Sequence, residues 1–336
     1  MIRRWRSWSV CCCALFAGGC QGWQSALDPH GREALRLESL IGVFVIVCAA
    51  VWVIVMIALA AALRRRGRAL DRPAPLDPRR ERRASIAVSV AVGLTVVIIA
   101  ALTGLSFFTT RALTQETGKP LLLRMRAYQW WWEIAYLDPR PDQAFTVANE
   151  IHIPVGRPVR IRLEAPDVIH SFWAPSLAGK MDLIPGRDNE ITFETKRPGI
   201  YRGQCAQFCG LQHAHMAFLV VAENPAEFDA WRKAQLQPAR SPSNDEEEAG
   251  RKVFLAKPCA GCHAIAGTAA SGTLGPDLTH VASRKYIAAG LLETTRGALA
   301  AWIADPQTLK PGVNMPLVPL SGDELRQVSA YLASLK

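Results

Sequence analysis

The chain has 336 residues, of which half are hydrophobic, and its formal net charge is +10 at neutral pH. This length is typical of two or more domains, and the positive charge raises the question of a nucleic-acid partner. However, +9 of the charge lies in residues 1–20, with three arginines and no acids, and in residues 64–83, with nine arginines against three acids. Positive charge that lies in an N-terminal leader and one loop is typical of a membrane protein, in which it sets the orientation of the helices. The sequence therefore predicts no nucleic-acid partner.

Residues 1–20 have the pattern of an export signal. Three arginines precede a mostly apolar stretch, residues 7–19, that is too short to span a bilayer. The signal ends in the letters AGGC, which resemble the cleavage box of bacterial lipoproteins with Cys20 as the lipidated residue. An uncleaved or conventionally cleaved signal is the alternative.

Two long uncharged runs follow, Leu40–Leu63 and Ser85–Thr110. Each exceeds the ~20 residues that cross the hydrocarbon core. The sequence thus predicts a transmembrane hairpin over 35–111, with helices at about 40–63 and 85–110. The arginine-rich loop between them belongs in the cytoplasm, which places everything after Arg111 on the other side. A buried hairpin of a soluble protein is the alternative, and the lack of any polar face disfavours it.

Residues 112–224 are predicted to form an all-β domain. Short alternating segments at 146–153, 158–165, 190–196 and 217–223 are separated by proline and glycine. Alternation with turn residues at this spacing is typical of a β-sandwich or a Greek-key barrel.

Residues 225–244 are predicted to be a short helix and a linker. Phe228 and Trp231 lie three apart, on one face of the helix. Residues 237–244 are polar, contain two prolines and two serines, and have the composition of a flexible linker. About ten such residues span roughly 17 Å and would hold the next domain at about millimolar effective concentration. That domain, residues 245–336, has a helical pattern.

Residues 205–216 read CAQFCGLQHAHM and hold two thiols, an imidazole and a thioether. Soft thiolates with imidazole suit copper, zinc or iron–sulfur, and a thioether favours copper as a weak axial ligand. A Cys205–Cys209 disulfide and a zinc site remain open as alternatives. His215 directly adjoins Met216 and is interpreted as a surface residue or one that only supports the site.

The same stretch resembles the dinuclear copper (CuA) site of cytochrome oxidase subunit II. The family pattern is Cys-x-Glu-x-Cys-x-x-x-His-x-x-Met, with a further histidine upstream; here DVIHSFW at 167–173 and KMDLIPGR at 180–187 are also similar. The resemblance implies two bridging thiolates, one histidine on each copper ion, and a thioether and a backbone carbonyl as weak ligands. The implied ligands are His170, Cys205, Gln207 through its carbonyl, Cys209, His213 and Met216.

Gln207 departs from the family pattern, which has glutamate at this position. In the family that carboxylate helps to hold a magnesium ion against subunit I. A carbonyl ligand does not depend on its side chain, so the expectation of copper binding is unaffected. An amide oxygen is a poorer magnesium ligand than a carboxylate, so magnesium is the least supported of the implied cofactors.

Cys259-Ala260-Gly261-Cys262-His263 is the attachment pattern of c-type haem. Two thioether links need cysteines separated by two residues, with the next histidine turned toward the iron. The segments GRKVF, LGPDL, WIADP and NMP and a final helix over 322–335 resemble a class I cytochrome c. The resemblance implies Met315 as the sixth ligand opposite His263, a pair that raises the haem potential. A core methionine is the alternative, although residues 217–336 contain no other methionine.

Residues 128–136 read YQWWWEIAY and are dense in indole rings. They could simply pack the core of a strand. They also resemble the family's aromatic segment beside the copper, where a tryptophan receives electrons from cytochrome c. By position that residue is Trp130, while Trp131 and Trp132 are predicted to serve packing and the contact with subunit I.

Taken together, the predicted fold is multi-domain: a two-helix transmembrane hairpin, an all-β cupredoxin-like Greek-key domain and an all-α class I cytochrome c domain. The chain resembles subunit II of a caa3-type haem–copper cytochrome c oxidase. That resemblance implies electron flow from haem c through the copper pair to subunit I, which reduces oxygen to water and pumps protons.

The implied partners are oxidase subunits I and III and an external donor such as a cytochrome c or a bc1 complex. The implied location is the bacterial inner membrane, with both redox domains on the extracytoplasmic side. The copper–haem subunit of a nitric oxide reductase is the alternative function. A copper-delivery protein would need neither the membrane helices nor the haem, and quinol oxidase subunits lack the copper ligands.

Overall fold

The computed structural model describes residues 22–69, 77–113 and 118–336. They fall into two compact units: Leu35–Gln115 form one, and the rest of the described chain forms the other. The predicted export signal with Cys20 lies outside the described residues, so the lipidation prediction stays a prediction.

The first unit contains two long helices, α1 (Arg32–Ala69) and α2 (Pro78–Leu113). Both exceed the predicted spans, because the arginine-rich ends continue the helical turns beyond the apolar runs. Helix α2 begins where Asp77 accepts a hydrogen bond from the Arg79 amide at 2.9 Å and proline occupies the first turn. None of the residues in the most apolar window of either helix is buried, and both helices are long and apolar enough to cross a membrane.

The second unit contains two five-stranded sheets packed as a sandwich. The strands are β1 (Leu121–Tyr128), β2 (Trp131–Tyr136), β3 (Phe145–Ala148), β4 (Glu150–Pro154), β5 (Val159–Glu164), β6 (His170–Trp173), β7 (Met181–Leu183), β8 (Asn189–Phe193), β9 (Gly199–Cys205) and β10 (Ala217–Glu223). Their orders in the two sheets are β3-β2-β1-β5-β8 and β4-β10-β9-β6-β7. The predicted two-layer β architecture is confirmed.

The core of the sandwich follows the alternation of the strands. In β1 every second side chain is buried, from Leu121 to Ala127, because successive residues of a strand point to opposite faces. The single strand predicted at 146–153 is wrong. Asn149 has φ +60° and separates β3, in one sheet, from β4, in the other. Asparagine tolerates this left-handed conformation better than most residues, so the chain changes sheets there.

The connection to the haem-binding part begins with helix α3 (Pro225–Gln235), which has a capping box at Asn224 and buries Phe228. The predicted linker that follows is not free of the domain after it. The Ala239 amide donates to the Ala266 carbonyl at 2.9 Å, and His280 Nε2 donates to the Gln237 carbonyl at 3.1 Å. The composition of residues 237–244 thus indicates a connector, and tertiary hydrogen bonds hold it in place.

The C-terminal part is mostly helical, as predicted. Its elements are α4 (Asp245–Ala256), α5 (Cys259–Cys262), β11 (Tyr286–Ile287), β12 (Leu292–Glu293), α6 (Arg296–Ala304), α7 (Pro306–Leu309) and α8 (Gly322–Ser334). Helices α4 and α8 cross closely at Gly250, where an added Cβ would lie 2.0 Å from the Gln327 carbonyl oxygen. Phe254 and Tyr331 pack edge to face in this crossing. The crossing forms one wall of the domain core.

Candidate copper and haem centres

The candidate copper centre lies where β9 ends and β6 begins. Cys205 is the last residue of β9 and His170 the first of β6. The loop between β9 and β10 closes on itself, because the Cys205 amide donates to the Met216 carbonyl at 2.9 Å. The Ala206 amide donates to the Ser171 carbonyl at 3.0 Å and attaches the loop to β6. Backbone hydrogen bonds thus bring the sequence-predicted ligands together.

The six predicted ligand groups surround one small space. The sulfur atoms of Cys205 and Cys209 are 3.7 Å apart, and both cysteines are free. Nδ1 of His170 is 3.8 Å from Cys205 Sγ, and Nδ1 of His213 is 3.6 Å from Cys209 Sγ. The remaining two groups are the Met216 thioether, 3.9 Å from Cys209 Sγ, and the Gln207 carbonyl oxygen, 3.1 Å from Cys205 Sγ.

This donor set fits a pair of copper ions. Two thiolates, two imidazoles and a thioether are soft and borderline ligands of the kind that copper prefers. The thiolates and imidazoles would hold the two ions, and the thioether and the carbonyl would be weaker ligands. His215, the neighbouring histidine, is exposed and bonds to Gln212 at 3.0 Å, as expected of a surface residue.

The electrostatics of the copper site favour a thiolate. The hydrogen bond with Cys209 lowers the pKa of Cys205 to about 4, in spite of burial, and raises the pKa of Cys209. Burial alone would lower the pKa of His170, but hydrogen bonds to Asp167 and Cys205 outweigh it and raise that pKa. Cys205 is therefore the thiol of the pair that ionises more readily, and its sulfur faces the His170 imidazole.

Asp167 is bonded to a proposed copper ligand, and sequence reasoning did not assign it. Its Oδ1 accepts a hydrogen bond from Nε2 of His170 at 3.0 Å. Its Oδ2 accepts a hydrogen bond from the main-chain amide of Gln129 at 2.7 Å. Metal-binding histidines commonly donate their second ring nitrogen to a carboxylate, which orients the ring. The only sequence signal was a carboxylate three residues before the histidine.

The candidate haem centre is a cavity of about 410 Å³ lined mainly by apolar side chains. Cys259 and Cys262 lie on α5, and His263 directly follows it. Nδ1 of His263 donates to the Pro276 carbonyl at 2.8 Å, which leaves Nε2 as the nitrogen for iron. Burial lowers the pKa of His263 and keeps the imidazole neutral, as a ligand must be. Residues and cavity therefore fit a haem.

Met315 lines the same cavity, on a loop that is held by a residue sequence reasoning did not single out. The Gln307 side chain donates to the carbonyls of Val313 and Met315 at 2.7 and 2.9 Å and accepts from the Gly312 amide at 3.0 Å. Position 275 requires a glycine, because an added Cβ would lie 2.5 Å from the His263 ring. The site thus has candidate axial ligands in defined positions.

Trp130 belongs to both centres. It is 7% exposed and lines the haem cavity together with other residues of its aromatic segment. Its indole Nε1 donates to the carbonyl oxygen of Cys209 at 3.0 Å. The β-domain therefore forms part of the haem cavity wall, a feature that no sequence pattern predicted.

The two domains match two families in sequence. Residues 135–223 match the model described as cytochrome c oxidase subunit II, periplasmic domain, and residues 247–336 match cytochrome c. The cytochrome c oxidase subunit 2 of Alkalihalophilus pseudofirmus is 36% identical over 332 residues, which cover 96% of this chain and 94% of the relative. This chain belongs to the cytochrome c oxidase subunit II family.

Other members of the subunit II family are similar over shorter stretches. The cytochrome c oxidase subunit 2 of Bacillus subtilis is 33% identical over 227 residues, 64% of this chain and 62% of the relative. The periplasmic domain of subunit II of cytochrome oxidase from Bradyrhizobium japonicum is 30% identical, with a TM-score of 0.33, and covers 36% of this chain and 96% of that structure.

Membership of the subunit II family confirms the predicted family and fold class. The subunit II domain implies the CuA copper pair, and the cytochrome c domain implies haem c. The chain is a component of an oxidase complex and is membrane-anchored, with an extracytoplasmic domain.

Proposed function

We propose that this subunit II is the electron-transfer subunit of its oxidase. It takes electrons from an external donor at its haem domain and delivers them through its copper domain to subunit I. Oxygen reduction and proton pumping would belong to subunit I, the partner that receives the electrons.

The proposed assignments follow the geometry. His170, Cys205, Cys209 and His213 would hold the copper pair, with Met216 and the Gln207 carbonyl as weak ligands. Haem would be attached at Cys259 and Cys262, with His263 and Met315 as its axial ligands. When bound, these two groups supply the one-electron carriers.

The single observation that supports transfer between the two sites is the position of Trp130. The Trp130 side chain lines the haem cavity and also donates a hydrogen bond to the carbonyl of Cys209, a proposed copper ligand. Gln129 adds a second bond to the same carbonyl at 2.8 Å. These two hydrogen bonds hold the Cys209 carbonyl against side chains that line the haem cavity.

The proposed location is the bacterial inner membrane, with the arginine-rich loop in the cytoplasm. The proposed partners are subunits I and III and a donor such as a cytochrome c or a bc1 complex. At the contact with subunit I, Gln207 would offer magnesium an amide oxygen, a weaker ligand than a carboxylate.

The first test is spectroscopic. The complete chain, with haem attached and copper added, should show a reduced c-type haem spectrum and an electron paramagnetic resonance signal from one electron shared by two copper ions. A haem spectrum without the shared-copper signal would contradict the copper-ligand assignment.

The second test is kinetic. After flash reduction of the haem, the copper signal should change within the same molecule. W130F should slow this step about tenfold or more, since small misplacements of reacting groups cost up to about 10²-fold. W131F is the matched control, because Trp131 stacks on Tyr128 with ring centroids 4.9 Å apart and also lines the cavity. Equal slowing in both variants would argue against a specific role for Trp130.

A further inference from the structure

Lys310 is a buried lysine between the haem domain and the copper domain. The residue directly follows α7 and is 1% exposed. Its Nζ donates to the carbonyl oxygens of Trp130 and Ala288, each at 2.9 Å. Burial lowers the pKa of Lys310 to about 7. Lysine is almost never fully buried unless it is paired, so this position needs an explanation beyond packing.

The loop after Lys310 leads directly to Met315 and contacts the copper domain twice more. The Pro311 carbonyl accepts a hydrogen bond from Gln212 Nε2 at 2.9 Å. Gly312 has φ +86°, and a Cβ added there would lie 3.4 Å from the Trp130 ring. The loop that presents the axial methionine is therefore bonded to the domain that holds the copper ligands.

Trp130 is the other end of this connection. Its carbonyl accepts from Lys310, and its indole donates to the carbonyl of Cys209. A continuous set of hydrogen bonds thus runs from the Met315 loop through Lys310 and Trp130 to a copper-ligand residue.

We propose that Lys310 is a positioning residue, which holds the Met315 loop against Trp130 in the arrangement that transfer from haem to copper requires. The inference rests on the proposed function and adds a residue to it. A side chain without donors at this position would leave the buried Trp130 carbonyl and the partly buried Ala288 carbonyl without this partner, and buried carbonyls without a partner are unfavourable. The loop would then move relative to Trp130 to reach water or another donor.

Other contacts should keep the domains together without Lys310. The Ala217 amide donates to the Ala289 carbonyl at 3.0 Å, and the Lys285 amide donates to Glu150 Oε2 at 3.0 Å. Loss of the Lys310 bonds should therefore change the rate of transfer more than it changes folding or either cofactor site.

The test is haem-to-copper transfer after flash reduction in the complete, cofactor-loaded chain, comparing wild type, K310M and K252M. Methionine has similar length but no donor, and the matched control, Lys252, lies on α4 with a 73% exposed side chain. We expect K310M to be slower by about tenfold or more, with the absorption band of the methionine-ligated haem and the copper resonance signal unchanged. K252M should match wild type.

Each outcome decides between the two claims. Transfer at the wild-type rate in K310M, with both spectra intact, overturns the role of Lys310. No transfer in wild type would instead overturn the proposed function. If K310M fails to hold haem, K310Q replaces it, because the shorter amide cannot reach both carbonyls. A slowed K310Q supports the proposal, and a wild-type rate in K310Q overturns it.

Discussion

The copper centre and the haem centre are built in different ways. All six proposed copper ligands belong to one β-domain, and five of them lie within residues 205–216. The distances between neighbouring sulfur and nitrogen atoms of these ligands are 3.6–3.9 Å. The haem cavity has its two proposed attachment cysteines and two proposed ligands in one domain, but part of its wall comes from the other.

Because of this difference, the two centres are expected to respond differently to substitutions. A local site is expected to respond to its own ligands and to little else. A composite cavity is expected to respond to domain docking as well, because Trp130 of the copper domain lines it. Substitutions can therefore be chosen that affect one centre and leave the other unchanged.

The largest effect is expected from C205S. Loss of a bridging thiolate should abolish the shared-copper signal and haem-to-copper transfer, while the reduced haem spectrum stays the same. Optical and paramagnetic resonance spectra of the same sample measure both. The control is C48S, which changes a free cysteine of α1. A surviving signal from one electron shared by two copper ions would show that Cys205 does not bridge them.

The next effect concerns the other centre alone. M315A should lower the haem potential by about 0.2 V or more, because axial ligands set haem potentials over roughly 0.8 V. A redox titration followed by absorption measures the shift, and the copper signal should not change. M181L, in β7, is the control with a methionine of the copper domain. An unchanged potential in M315A would mean that Met315 is a core residue.

A third substitution probes a buried charge cluster of the copper domain. His152 lies between Glu150 and Glu223, 3.0 Å from each carboxylate, and stacks on Trp231. H152F would leave the buried Glu150 carboxylate without this cation and should cost about 3 kcal/mol of unfolding free energy. Chemical denaturation followed by tryptophan fluorescence measures the loss.

The same cluster predicts a pH dependence. Burial alone would lower the pKa of His152, but hydrogen bonds to the two glutamates outweigh it and raise that pKa. The stabilisation is therefore fully present below about pH 6.5, the ordinary value for histidine, and is lost as pH rises through the raised pKa. The difference between wild type and H152F should be larger at pH 6 than at pH 9. A difference independent of pH would indicate a neutral His152.

The smallest effect is expected at the start of α8. Ser321 and Glu324 form a capping box there, and S321A should cost about 1 kcal/mol of stability in the haem domain. The copper signal should be unaffected, since α8 packs within the haem domain. S334A, at the other end of the helix, is the matched control. Thermal unfolding followed by haem absorption measures both, and equal losses would argue against capping as the cause.

Much of the candidate site could be predicted from sequence because its chemistry is local. The spacing of Cys205, Cys209, His213 and Met216 within one loop determines which donors can share metal ions. The CxxCH pattern likewise restricts the haem attachment to one short helical turn. Only His170 and Met315 lie far along the chain from the two motifs, and they were predicted from the resemblance to known families.

The supporting contacts could not be predicted in the same way. The bond from Trp130 to Cys209 joins residues 79 apart, and the bond from Lys310 to Trp130 joins residues 180 apart. Neither contact has a spacing rule, because it depends on how one folded domain packs on another. The contacts of residues 237–239 could not be predicted from composition for the same reason, since their hydrogen-bond partners lie elsewhere in the chain.

The sequence by itself determined the membrane helices, the order of the domains and most of the ligand chemistry, because charge-free length, alternation and ligand spacing are properties of neighbouring residues. The tertiary structure alone decided which ring nitrogen of His170 and of His263 faces its site, since Asp167 and the Pro276 carbonyl occupy the other. It also decided that Trp130 faces both centres. Orientation and docking depend on contacts between distant segments, and those contacts exist only once the chain has packed.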